Sequence, residues 1–337
     1  MTNIKEETID FVVLWVDGND PKWRQEKNEQ LEQIGYPTDN RNARYRDWNN
    51  MMYWFRGVER FAPWVNRVHF VTYGHLPQWL NAECPKLNIV NHRDFIAEKH
   101  LPCFNSSAIE INIHKIPELS DKFVYFNDDM FLINHVSPKD FFVHGKPVTF
   151  GCLGKRLSEE RKKEDTYFGM LATNGEVVSK LYDKRSVILR HPFLFFNYKY
   201  GKQFLSNVRT LFDDSYVIDS THMPQAFVKK SLEKMWEMVP EIMESTAASK
   251  FRRGDNVNQD LFKSQQVLSG NFYPQSRKIG MPLFFSDEAK IKDTIENQKF
   301  KMCCIADDVS ETDFEASVER LRGYFDKILP EKSQFEL

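Results

Sequence analysis

Short apolar runs that end in acidic or glycine-containing turns alternate with helical stretches through the first 130 residues, and few folds accept that pattern. Ile9 to Val16 is the first run, closed by Asp17-Gly18-Asn19-Asp20-Pro21. It reads as a buried strand ending in a polar turn. Trp48 to Phe61 has helical spacing and stops at Pro63. Arg67 to Thr72 and Leu87 to Val90 read as two further strands. Ser107 to Ile116 reads as a helix closed by Pro117, and Lys122 to Phe126 (KFVYF) as a fourth strand that runs directly into Asn127-Asp128-Asp129. The alternation predicts an α/β fold with a mostly parallel sheet flanked by helices. In such sheets ligands bind beyond the carboxyl ends of the strands. Asp17 and the pair Asp128-Asp129 both fall at ends of that kind.

The rest of the chain is less regular. The stretch 150–215 is rich in Lys, Tyr and Phe and reads as an inserted, irregular or helical segment, lid-like in character. Val228 to Met243 is predicted helical, with Leu232, Met235, Trp236 and Val239 on one face. A C-terminal helix is predicted over 313–330, with Phe314, Val318, Leu321, Phe325 and Ile328 on one stripe. Packing on the core is the favoured reading of both; a membrane-surface helix is the second reading of the last. With 337 residues and no internal repeat, the chain is expected to form a single domain over 1–337. A net charge of −2 gives no basic excess, and Arg161-Lys162-Lys163 is diluted by Glu159, Glu160, Glu164 and Asp165, so no nucleic-acid partner is expected. Five cysteines, with no CxxC pair, fit a reduced, cytoplasmic chain without a structural zinc site. Met1 to Thr8 lacks the apolar region of a signal peptide, and no run is long enough to span a bilayer. Peripheral contact with the inner membrane stays open.

The strongest chemical signal is Phe123-Val124-Tyr125-Phe126-Asn127-Asp128-Asp129. Two adjacent carboxylates at a strand end crowd negative charge, which Mg²⁺ or Mn²⁺ bridged to a diphosphate would neutralise. An ordinary turn fits the same residues about as well. Asp307-Asp308 is a second acidic pair, after the apolar run Met302 to Ile305, and a site shared by both pairs strengthens the metal reading. Gly18, Asn19 and Pro21 are explained by a turn, whereas Asp17 is not. His114 and His222 are each lone histidines, more often structural than catalytic, and no HExxH pair is present. Arg252 and Arg253 could grip phosphate through their N–H fork or be surface charges. The absence of GxxxxGK[ST], GxGxxG and GxSxG removes support for P-loop, dinucleotide-binding and nucleophile-elbow readings.

Together these segments resemble the Stealth family of hexose-1-phosphate transferases. That family includes bacterial capsular polysaccharide phosphotransferases and the animal enzyme that places GlcNAc-1-phosphate on lysosomal glycoproteins. Four blocks carry the resemblance in the family's order: Ile9 to Pro21; Arg44 to Leu132, with RYRDWN and FNDDMFL; His222-Met223-Pro224 with Lys250 to Arg253; and Met302 to Asp308, with Ser333 to Leu337 near the C-terminus. In the fourth block relatives commonly read Cys-Ile/Leu-Asn-Asp, whereas here the asparagine position is Ala306 and Asp307 is kept.

The resemblance implies a single catalytic domain with a nucleotide-sugar transferase-like core. It implies a nucleotide-sugar donor, for example UDP-N-acetylhexosamine, a growing capsular glycan as acceptor, and release of UMP. Asp128, Asp129 and Asp307 would hold Mg²⁺ or Mn²⁺. Arg252 would take charge on the transferred phosphate. His222 is favoured as base, with His114 positioning. Asp17, Gly18, Asn19, Asn127 and Arg46 would hold the donor. A metal-dependent glycosyltransferase releasing UDP is the main competing reading, and a non-catalytic capsule-assembly subunit the other.

Overall fold

The computed structural model describes residues 8–35, 38, 41, 44–155, 157–212, 216–218 and 222–337. Its centre is a five-stranded sheet. Strands β1 (Ile9–Leu14), β2 (Val68–Thr72), β3 (Leu87–Asn91) and β4 (Lys122–Phe126) run parallel in the order β3-β2-β1-β4. The strand Gln225–Val228 closes the β4 edge antiparallel. Leu14 pairs with Val71 and Val13 with Phe126, so the turns after β1, β2 and β4 emerge at one edge of the sheet.

The apolar runs are continuous rather than alternating because both faces of this sheet are covered. Side chains still obey the twofold period of a strand. Phe11, Val13, Val124 and Phe126 join one core with Trp54, Phe55 and Phe61, which lie on α2 (Met51–Phe61). Val12, Phe123 and Tyr125 join a second core on the opposite face, with Phe227, Leu261 and Phe262.

A second sheet begins where the first ends. Strand β5 (Met130–Leu132) pairs antiparallel with Met302–Ala306, which pairs parallel with Gly280–Phe284. The Asn127–Asp129 turn therefore joins the two sheets, and the Ile305 N–H donates to the Asp129 carbonyl at 2.9 Å.

Several expectations need correction. The helix expected over Ser107 to Ile116 is one short α-helix, α3 (Ser106–Glu110), followed by a 3₁₀ turn at Ile113–Lys115. The Asn112 amide donates to the Ala108 carbonyl where the α-helix stops. The helix expected over Val228 to Met243 breaks into Lys229–Met238 and Pro240–Ala248. Pro240 lacks the N–H that would continue the first helix and suits the first turn of the second. The 150–215 segment is largely helical, with Thr166–Leu181, Lys184–Arg190 and Phe204–Thr210, and its short strand Leu153–Lys155 pairs with Tyr216–Ile218. The C-terminal helix is Phe314–Ile328, and Val318, Leu321, Phe325 and Ile328 are all buried. Its apolar stripe is consumed by the core, which removes the membrane-surface reading of this helix. Among the described residues no helix is long and apolar enough to cross a membrane.

Candidate active site

A cavity lies at the carboxyl edge of the parallel strands. Its lining includes Leu14 at the end of β1, Val71 in β2, His92 just past β3, and Asn127 and Asp128 just past β4. Trp23, Tyr45 and Phe104 give it an aromatic wall, and Arg44 and Arg252 add positive charge. Trp23 packs against both Tyr45 and Phe104, with ring centroids 5.3 and 5.7 Å away. Each contribution follows from local structure. Asp20 caps α1 (Pro21–Gln33) by accepting from the Trp23 N–H at 2.7 Å, which sets Trp23 at the helix start. Arg252 is held beside the cavity by donating to the Ser106 hydroxyl. Arg253 instead pairs with Asp255 at the surface.

Carboxylates gather around Asp128, which lines this cavity. Asp128 is reached by solvent, yet the surrounding protein shields it from bulk water. That shielding, then Asp129 and Asp47, push its carboxyl up to about 7, with Arg252 opposing. Asp47 is pushed up to about 6, first by burial and next by Asp17, although it accepts from the Asn49 N–H. Four carboxylates from three distant segments thus share one field. Asp47 was missed by the sequence reading, although it sits inside RYRDWN.

Asp129 faces a different set of partners. Its Oδ2 lies 3.3 Å from His222 Nε2 and accepts from the Cys304 thiol at 3.2 Å. Ligand atoms of Asp129, His222 and Cys304 all lie within 4.8 Å of one another. Burial alone would lower the His222 imidazole. Asp129, with smaller help from Asp260 and Glu110, outweighs that and raises it above its ordinary value. The Cys304 thiol is pushed far up by burial and by Asp129, so it is a neutral donor. His222 also carries a left-handed backbone, φ 43°, a costly conformation for a non-glycine residue. Tyr167 from the inserted segment packs its ring 6.1 Å from that of His222.

A divalent cation fits part of this arrangement. Asp129 Oδ1 is buried without a hydrogen-bond partner, and Asp128 is crowded enough to favour neutralisation. Hard oxygen donors of this kind suit Mg²⁺, whereas the neutral Cys304 thiol does not. Asp307 is not among the ligand atoms that gather within 4.8 Å of one another. Its carboxylate takes two hydrogen bonds from Arg46 and one from Trp48 Nε1 at 3.1 Å. The same contacts engage Arg46, expected to hold the donor, whose guanidinium also donates to the Val309 carbonyl at 2.7 Å and stacks over Phe314. Arg46 and Asp307 tie the start of the second block to the end of the Met302–Ala306 strand.

His114 is likewise placed elsewhere. It is buried beside Trp236, with Lys115 and Lys229 nearby, and burial drives it down to about 3. Lys229 donates its N–H to the Asp121 carbonyl, before β4, so this histidine lies toward the opposite end of the strand from Asp128. In the first turn, the Asp17 N–H donates to His75 Nε2 at 2.8 Å and its carboxylate accepts from the Asn19 N–H at 2.8 Å. Gly18 is needed for a close approach to protein rather than to a ligand, since a Cβ there would sit 1.9 Å from the Tyr45 carbonyl oxygen. Asn127 lines the cavity, and its Oδ1 accepts from the Tyr125 hydroxyl at 2.5 Å. That hydroxyl is also 3.2 Å from buried Glu110, a second group that no local motif marks out.

Comparison with known proteins supplies the family. Residues 7–33 match Stealth protein conserved region 1, and residues 44–149 match conserved region 2. The chain is 37% identical over 331 residues to the capsular polysaccharide phosphotransferase WcwK of Streptococcus pneumoniae, covering 97% of this chain and 98% of the relative. It is 36% identical over 331 residues to the exopolysaccharide phosphotransferase cps2G of Lactiplantibacillus plantarum, covering 97% and 96%. A galactosyltransferase, LgtC, solved with donor and acceptor sugar analogs, superposes at a TM-score of 0.40 with 11% identity over 95% of this chain and 96% of that one, a likeness too distant to carry function. The two conserved regions and the near full-length identity agree, and the chain belongs to the Stealth family.

Proposed function

We propose that this protein is a capsular polysaccharide phosphotransferase that moves hexose-1-phosphate from a UDP-sugar, such as a UDP-N-acetylhexosamine, to a hydroxyl of a growing glycan. The carrying observation is the strand-end cavity in which an aromatic wall, Arg252 and crowded carboxylates meet. The aromatic wall suits a base, and the charged lining suits a diphosphate. Asn127 lines the cavity and would bound the nucleoside side, with Asp17 and Asn19 in the turn that follows Val16 of the lining. The relatives' names, capsular and exopolysaccharide phosphotransferase, support the class of reaction.

The acceptor oxygen attacks the sugar-side phosphorus, the bond from that phosphorus to the bridging oxygen breaks, and UMP leaves. His222 takes the hydroxyl proton, with its ring oriented by Asp129, which in turn accepts from Cys304. Arg252 neutralises charge on the transferred group. Asp128 and Asp129 would hold Mg²⁺ or Mn²⁺, which supplies charge neutralisation at the diphosphate. The 150–215 segment covers the site through Tyr167, and the enzyme works in the cytoplasm where nucleotide-sugars are made available.

Donor labelled in the sugar-side phosphate tests this reading against a glycosyltransferase. Phosphotransfer puts the label in the polymer and releases UMP. Label leaving as UDP overturns the proposal, and the absence of any donor turnover by purified protein with glycan acceptor points to a non-catalytic subunit.

A further inference from the structure

The geometry points to a docking surface for an anionic lipid bilayer on the inserted segment, formed by exposed aromatic and aliphatic side chains set among basic ones between residues 184 and 212. Among the described residues eight large hydrophobic side chains are exposed, and five of them fall here: Leu189, Phe193, Tyr198, Leu205 and Phe212. Phe193, Tyr198 and Phe212 are each more than four-fifths exposed, at 87%, 84% and 83%. A folded protein rarely leaves so many large rings in water without a partner for them.

Charge says which partner. Residues 184–212 contain six Lys and Arg and no Asp or Glu, in a chain whose net charge is −2. Asp183 precedes the stretch, and Asp213 and Asp214 follow it. Arg185, Arg190, Lys202 and Arg209 are exposed. A second copy of this chain would bring like charges together, whereas an anionic lipid surface satisfies cations and rings at once. Aromatic residues with a polar rim are the side chains that settle at a bilayer interface.

The surrounding fold suits the role. The segment is anchored from below: Phe195 and Tyr200 are buried, the Asn207 side chain donates to the Gly151 and Phe195 carbonyls, and Lys199 donates to the Pro274 carbonyl. Rings outside this anchored layer are thus held out by the fold rather than left loose. The helix Thr166–Leu181 carries Tyr167 beside His222 in its first turn and ends shortly before residue 184.

This inference does not rest on the transferase reading, and its test is independent of turnover. The full chain is mixed with vesicles of phosphatidylcholine alone or with one-quarter phosphatidylglycerol, and bound protein is measured by flotation. Expected is binding at least tenfold stronger to the anionic vesicles, abolished by 0.5 M NaCl, as screening of exposed charge demands. Each cation near an anionic surface adds about fivefold. Arg185→Glu, Arg190→Glu, Lys202→Glu and Arg209→Glu together therefore lower binding more than about a hundredfold. Phe193→Ser with Tyr198→Ser and Phe212→Ser lowers it at least tenfold, while donor turnover in solution stays as in wild type. Equal binding to neutral vesicles, no binding to either, or wild-type binding by both variants overturns the proposal. So does a wild-type dimer in sedimentation that the aromatic variant dissolves, which would make the patch a self-interface. The salt and lipid dependence of the wild type decides the matter even where a variant fails to fold.

Discussion

Asp128 couples stability to the binding of positive charge. Its folded value of about 7 lies well above that of an unfolded aspartate, near 4. The folded state therefore keeps a proton that the unfolded chain has released, and stability falls as pH rises between those values. Asp128→Asn is expected to raise the melting temperature of metal-free protein at pH 8 while removing turnover. For wild type, Mg²⁺ is expected to raise the melting temperature at pH 8 and leave it nearly unchanged at pH 5; a thermal shift of the same size at both values would contradict the crowding. His222 carries the same sign in a higher pH window. Its value is raised in the folded state chiefly by Asp129 against the effect of burial, so the stabilising contribution of the charged pair is complete below about 6.5 and lost as pH climbs through the folded value. Histidine carbon shifts in metal-free protein are expected to titrate above 6.5 for His222, and Mg²⁺ beside Asp129 is expected to lower that value. A titration at or below 6.5 in metal-free protein would remove Asp129 as the orienting partner. Cys304 adds a finer check, because its thiol donates to the same oxygen. Cys304→Ser keeps a donor and is expected to retain most turnover, whereas Cys304→Ala is expected to lose about tenfold in kcat, the cost of about 1.4 kcal/mol of orientation; equal rates in the two variants would show that the thiol only fills space.

At the level of elements, the turn after β1 is fixed by packing on the segment that follows α1. A Cβ at Gly18 would overlap the Tyr45 carbonyl, and backbone cannot yield as a side-chain tip can. Gly18→Ala is expected to cost about 2–3 kcal/mol in urea unfolding and to weaken donor binding, since Tyr45 and Trp23 form the cavity wall. Unchanged stability would mean the two segments separate freely. The strands of the central sheet were readable because both faces are buried and their runs are uninterrupted. The β1 and β4 turns were readable because acidic groups directly follow apolar runs. Other elements were not. Every residue of the helix Gln259–Leu268 is buried, including Gln259, Asp260, Lys263, Gln265 and Gln266, so polarity hid a core element. Strand β5 is three residues long and has no period to detect. In the candidate site, Asp128 and Asp129 stood out locally as acidic groups at a strand end, whereas His222 and Arg252 were singled out only through the family resemblance; Asp128 and Arg252 line the cavity and His222 lies beside Asp129. The pairing of Arg46 with Asp307 spans 261 positions and Asp129 meets Cys304 across 175, separations that no local pattern encodes. His114 misled for the converse reason: it stands in an apolar stretch inside a specific motif, and burial there made it part of the core.

For the molecule as a whole, the two sheets and the helices around them are tied by contacts between the ends of the chain. The final residues are one such tie. Phe335 is buried with its ring 4.9 Å from that of Phe55 on α2. Glu336 accepts from Arg56 Nε at 2.9 Å and from its Nη2 at 2.8 Å. The peptide then crosses to the loop after β2, where the Asn81 N–H donates to the Phe335 carbonyl and the Leu337 N–H to the Trp79 carbonyl. One short segment thus holds a helix of the first core against the edge of the central sheet, although it belongs to neither. Phe335→Ala removes a ring from a packed site and is expected to destabilise the fold by about 3–5 kcal/mol. The consequence depends on whether the segment unfolds with the rest. If it does, urea unfolding shifts to a lower midpoint with an unchanged slope, because the same surface is exposed in one step. A shallower slope with a separate early transition would instead make the C-terminal segment an independent clasp, and the sheet core would be stable without it. The buried ion pair with Arg56 favours the first outcome, since releasing the clasp strips Arg56 of the Glu336 carboxylate and leaves it the Leu329 carbonyl, exposed Asp326 and the Tyr53 ring.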